Sequence, residues 1–135
     1  MLELQRASYK IEAELIGTYE IPPLKETFEQ LQNCGETFIG YYRENKLAGA
    51  VSYKREAGTL DIHRVMVHPD FFRRGIAAKL IVHIESLEKN TSNIIVSTGA
   101  ANVPAVMLYE KLGFVRQEDM IVGDSLRIAN FKKYK

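Results

Sequence analysis

The chain has 135 residues, 46% hydrophobic and 26% charged, with a formal net charge of +1. That is enough for one domain with a real core over residues 1–135, and the composition is that of an ordinary globular protein. The charge balance gives no ground for a nucleic-acid or anionic-membrane partner, no apolar run approaches the ~20 residues that span a bilayer, and no signal-peptide core opens the chain. The single cysteine, Cys34, excludes an internal disulfide framework and a cysteine-based metal site, and a reducing, cytoplasmic setting is expected.

Leu4, Ala7, Ile11, Leu15 and Tyr19 recur every three to four residues, so the first eighteen or so residues read as an amphipathic helix. Ile21-Pro22-Pro23 stops it, because proline removes a donor and pushes its predecessor out of the α region. A second short helix is expected with Leu24, Phe28 and Leu31 on one face and Gly35 as its C-cap. Thr37–Tyr42, Leu47–Lys54 and Thr59–Val67 then read as three strands of an antiparallel meander, turning at 44–46 and 57–58. A helix follows Gly75 with Ile76, Leu80, Ile81, Ile84 and Leu87 inward, and Asn93–Ser97 is a short buried strand. A strand–helix–strand step of this length implies a parallel neighbour. The helix Val103–Leu112 ends at Gly113, and Phe114–Gln117 and Leu126–Tyr134 close the chain as strands. The fold class is therefore α+β, with a parallel step inside a mixed sheet.

The stretch from Val65 through Pro69, Arg73, Arg74 and Gly75 into the next helix delivers an apolar strand to a helix N-terminus. Such termini carry unpartnered N–H groups and partial positive charge, which suit an anion. The loop lacks the glycine patterns of nucleotide-triphosphatase and dinucleotide sites, so on its own it reads equally as a solvated basic cap. Farther on, Asn102 is a natural N-cap and Pro104 suits a first helical turn. Tyr109 there, taken alone, reads as a packing tyrosine.

Together these residues resemble a family. The run Val67-x-Pro69, Arg73-x-Gly75-x-Ala77, followed by Asn102-x-x-Ala105-x-x-Leu108-Tyr109-x-x-x-Gly113-Phe114, is similar to the GNAT superfamily of acetyl-CoA-dependent N-acetyltransferases. The resemblance covers residues 4 to 133 and includes Ile21-Pro22-Pro23-Leu24. It implies a splayed mixed sheet with helices on both faces and acetyl-CoA as cosubstrate in the splay. Backbone groups of Val65, Met66 and Val67 would meet the pantetheine arm, and backbone N–H groups of Arg73, Arg74, Gly75, Ile76, Ala77 and Ala78 would cradle the pyrophosphate. Asn102 would hydrogen-bond the arm, and Tyr109 would stand beside the thioester sulfur. Asp61 falls where histone-type members carry a catalytic glutamate. The chain departs from the family twice. Phe72 occupies a position that is usually polar, and no strand precedes the first helix, so one edge strand is expected to be missing.

Acetyl transfer needs a neutral amine, and a lysine-like amine costs about 4–5 kcal/mol to deprotonate at pH 7. Asp61 and His63 share a strand face by period two, so either serves as base, with water as a third route. A tyrosine is a suitable acid for a departing thiolate, which assigns that role to Tyr109. Cys34 lies far in sequence from the loop and reads as a small buried hydrophobe rather than an acyl carrier. The acceptor, a small-molecule or protein amine, is expected between Ile21–Leu24, the Tyr41-Tyr42 strand and the loop 120–125. A second reading is a CoA-binding sensor or regulatory module with little catalysis. Nucleic-acid binding is disfavoured because Arg73 and Arg74 make too few phosphate contacts, and an exposed edge strand leaves room for a homodimer.

Overall fold

The computed structural model describes residues 2–16, 33–123 and 126–135. Helix α1 (Leu2–Ile16) comes first, then strands β1 (Thr37–Arg43), β2 (Lys46–Glu56) and β3 (Thr59–Val67). A 3-10 turn (Pro69–Phe71) leads into α2 (Ile76–Leu87), β4 (Asn93–Gly99), α3 (Val103–Lys111), β5 (Val115–Arg116), β6 (Met120–Val122) and β7 (Leu126–Tyr134). The expected second helix over 24–31 lies outside the described residues.

The strands form one mixed sheet in the order β1-β2-β3-β4-β7-β5, with β6 also paired to β7. The meander is antiparallel, as the turn chemistry predicts. Glu44, Asn45, Ala57 and Gly58 take positive φ at its two bends, the conformation that tight hairpins demand. β3 and β4 are parallel, and α2 is their crossover. Their pairing covers only Thr59–Asp61 against Asn93–Ile95. Beyond Asp61 the two strands part, which is the splay the resemblance implies. β1 forms one edge, and no strand precedes α1 among the described residues.

Helices cover both faces. Ile76, Leu80, Ile81 and Ile84 of α2 are buried in the main core with Val51, Tyr53, Leu60, Ile62, Ile94, Val96 and Phe131. Burial of such side chains contributes roughly 1.5–3 kcal/mol each. On the other face Leu4 of α1 packs with Ala50 and Met66. Leu87, expected inward, is 50% exposed. It is the last helical residue, and the chain turns away at Glu88, whose N–H closes on the Ile84 carbonyl.

One further expectation changes. The 120–125 loop contains a strand, β6, that pairs with β7. Its three residues are all exposed, so neither alternation nor length marks it in the sequence. In β3 the register runs Ser52–Arg64 and then Tyr53–Ile62, which leaves His63 as an unpaired bulge residue. Asp61 and His63 still share a face, as their spacing predicts, with His63 Nε2 3.2 Å from Asp61 Oδ2.

Candidate active site

The splay opens a cleft of about 590 Å³. Val65 and Val67 of β3 form one wall, Val96–Thr98 of β4 another, and the turn 71–75 with the start of α2 closes one end. Asn102, Leu108 and Tyr109 of α3 complete it. Of the residues singled out from sequence, His63, Val65, Val67, Arg73, Arg74, Gly75, Ile76, Ala77, Ala78, Asn102 and Tyr109 line this single space. Met66 and Asp61 are not on its lining. The Met66 side chain is buried on the α1 face.

The anion-binding end is made by backbone. Gly75 is the N-cap of α2 at φ 71° and has no side-chain cap, and the first helical bond runs from the Lys79 N–H to the Gly75 carbonyl. The N–H groups of the first turn therefore face the cleft end without intrahelical partners. Arg73 also takes a left-handed φ of 64°, an unfavourable conformation for a non-glycine residue that here shapes the turn. The Arg74 guanidinium lies 5.2 Å over the Phe71 ring. Phe72, the departure from the family pattern, is 40% exposed and forms part of the cleft wall.

Asn102 caps α3. Its Oδ1 accepts from the Ala105 N–H at 3.4 Å and its Nδ2 donates to Thr98 Oγ1 at 3.3 Å. These bonds fix the amide at the cleft wall. Tyr109 is 3% exposed and packs edge-on to Phe131, with ring centroids 5.4 Å apart, and against Phe114 at 5.9 Å. An aromatic cage of this kind locks the ring at the cleft wall.

His63 Nε2 stands 3.2 Å from Asp61 Oδ2, and its Nδ1 stands 3.7 Å from Glu36 Oε2. The two candidate bases thus stand side by side, as their spacing along the strand predicts. Glu36 was not legible as a site residue. Its carboxylate accepts from Arg64 Nε at 2.8 Å, Arg64 Nη2 at 2.9 Å and Ser52 Oγ at 2.6 Å. Burial opposes its ionisation, but the hydrogen bonds from Arg64 and Ser52 and the Arg64 charge outweigh it and bring the carboxyl down to about 2. Arg64 is itself buried and its Nη1 donates to Gln5 Oε1 at 2.8 Å. The available signal was Arg64, a guanidinium inside an apolar strand, which needs a buried anionic partner.

The remaining expectations on this region divide. Tyr41 packs against the main core, with Lys79 Nζ 5.8 Å from its ring centre, and Tyr42 is 67% exposed. Neither lines the cleft. Ile21–Leu24 lies outside the described residues. Cys34 is half-buried. Among the described residues no group of acidic, histidine and cysteine side chains is arranged to hold a metal, and no helix is long and apolar enough to cross a membrane.

A parallel pair that opens into a cleft, ended by a helix N-terminus and walled by an asparagine cap and a caged tyrosine, defines an acyltransferase-type fold. The chain matches the family model described as Acetyltransferase (GNAT) domain over residues 11–135. It belongs to that family. It is 36% identical over 134 residues to the UPF0157 protein YqkA of Bacillus subtilis, covering 99% of this chain but 39% of that protein. The chain thus spans well under half the length of that relative. It is 29% identical over 112 residues to the ribosomal protein bS18-alanine N-acetyltransferase of Escherichia coli, covering 80% of this chain and 72% of that one. The fold matches the PaiA N-acetyltransferase of Thermoplasma acidophilum, solved in complex with coenzyme A. The TM-score is 0.71 at 20% identity, over 98% of this chain and 90% of that one.

Proposed function

We propose that this protein transfers an acetyl group from acetyl-CoA to a primary amine of a small molecule or a protein, by direct attack in a ternary complex. The observation that carries the reading is the cleft itself. One space joins the open edge of β3, the uncapped N-terminus of α2 and the Tyr109 ring. Those three features suit an amide-containing arm, a pyrophosphate and a thioester, in that order.

In this scheme the backbone of Val65, Met66 and Val67 pairs with the arm, and the N–H groups of residues 73–78 hold the phosphates. Asn102, fixed by its cap, offers its remaining amide proton and lone pair to the arm. The amine attacks the thioester carbonyl, so a C–N bond forms and the C–S bond breaks. Asp61 or His63, directly or through water, takes the amine proton, and the Tyr109 phenol protonates the departing thiolate. The bS18-alanine relative acts on a protein amine, which supports keeping protein acceptors in the class. The setting that fits this chemistry is cytoplasmic.

The test is a CoA titration by calorimetry, followed by acetyl transfer across a panel of small amines and N-terminal peptides. Binding with transfer to one class supports the proposal. Absence of CoA binding overturns it, and binding without transfer assigns the fold to a CoA-responsive module instead.

A further inference from the structure

Helix α1 touches β3 at three successive places. Leu4 packs on Met66, Gln5 Oε1 accepts from Arg64 Nη1 at 2.8 Å, and Ser8 Oγ accepts from the Val67 N–H at 3.1 Å. The third contact differs from the other two. Leu4 and Gln5 are buried, whereas Ser8 is half-buried and lines the cleft. Val67 lies beyond Asp61, where β3 has lost β4 as a partner. Its neighbour His68 sends its N–H to the Ala48 carbonyl on β2, so by strand alternation the Val67 N–H points the other way, into the splay. A strand-edge donor in a cleft must be satisfied by something. In this structure the Ser8 hydroxyl does it.

We propose that Ser8 is a placeholder for the cofactor: its hydroxyl oxygen occupies the acceptor position that a carbonyl of the bound arm takes on the Val67 N–H. The inference rests on the cofactor reading above and names a residue that sets affinity within it. Entry of the arm requires Ser8 to release the donor. Release needs only a rotation about χ1, because a helical serine can turn its hydroxyl to the carbonyl one turn back, here that of Leu4. Leu4 and Gln5 keep α1 seated while this happens. The exchange trades one hydrogen bond for another, so Ser8 lowers cofactor affinity modestly while protecting the open edge from adventitious strand pairing.

The experiment is a calorimetric titration of CoA into the wild type, Ser8→Ala and Ser8→Thr, with the Val67 amide followed by ¹⁵N–¹H spectroscopy. Ser8→Ala removes the competitor and favours the helix. It should bind CoA about three- to tenfold more tightly, the scale of one net hydrogen bond. Ser8→Thr keeps the hydroxyl and should stay near the wild type. The Val67 resonance should move on Ser8→Ala in the free protein and converge with the wild type once CoA is bound. Wild-type binding with an unchanged or weakened Ser8→Ala overturns the placeholder alone. Failure of all three proteins to bind CoA overturns the cofactor reading and this inference with it.

Discussion

Arg64 grips Glu36 with a fork, Nε on one carboxylate oxygen at 2.8 Å and Nη2 on the other at 2.9 Å. The pair joins the segment before β1 to the third strand, and the Glu36 side chain is only 6% exposed. With its carboxyl held at about 2 against an ordinary 4.5, Glu36 is ionised more readily in the folded protein than in the unfolded chain. Its contribution is complete above pH 4.5 and is lost as pH falls toward 2. At 1.36 kcal/mol per unit this amounts to about 3 kcal/mol. Glu36→Gln should lose about that much stability at pH 7 and show a flatter decline between pH 4.5 and 2, read by urea denaturation.

Gly49 faces α2 so closely that a Cβ would stand 2.7 Å from Ile76 Cγ2 and 3.0 Å from the Met66 carbonyl. Gly49→Ala should cost about 1–3 kcal/mol through overpacking. It should also weaken CoA binding, because Ile76 is the first residue of the helix proposed to hold the phosphates. Thermal denaturation and a CoA titration on the same variant check both halves.

Around Gly75 there is open space for a side chain, and only its φ of 71° resists substitution. Gly75→Ala should therefore fold with a loss of about 1 kcal/mol. Gly75→Glu adds a negative charge where the pyrophosphate is proposed to sit, and should reduce CoA affinity more than tenfold. Equal affinity for the two variants would remove the phosphates from this end of the cleft.

Tyr109→Phe preserves the ring contacts with Phe131 and Phe114 and removes only the hydroxyl. Turnover should fall about 100-fold, the usual scale for a general acid, with CoA affinity nearly unchanged. Steady-state kinetics beside calorimetry separate the two effects, and undiminished turnover would withdraw the acid role.

Asp61 and His63 are close enough to act as a pair, so their substitutions should not add. If one proton path runs through both, Asp61→Asn, His63→Gln and the double variant should lower kcat by similar factors. Additive losses would mean separate roles. Full activity in the double variant would leave deprotonation to water.

Much of this architecture is legible in the sequence because it repeats. β3 spans Thr59–Val67 as its composition predicts, and α2 begins at the residue after Gly75. The cleft's backbone elements are equally legible, since glycine, proline and an asparagine cap mark them locally. What escapes is long-range or aperiodic. Glu36 lies in no regular element and acquires meaning only from Arg64, twenty-eight residues away. β6 is short and wholly exposed, so nothing in its own residues announces a strand. Ser8 sits on a helix whose amphipathic stripe is plain, yet its partner is a main-chain N–H, which no side-chain pattern reveals.

The surplus residue in β3 has a wider consequence. Leu60 and Ile62 belong to the α2-side core, Arg64 and Met66 turn to α1, and Val65 and Val67 rejoin the α2 side. His63 is thus a half-step in the phase of the strand. Were His63 paired in regular alternation instead of bulged, Arg64 would turn into the main core and both valines would turn out of it. One inserted residue thus shifts the reading frame of a single strand, so that even-numbered positions face the main core below the splay and odd-numbered ones above it.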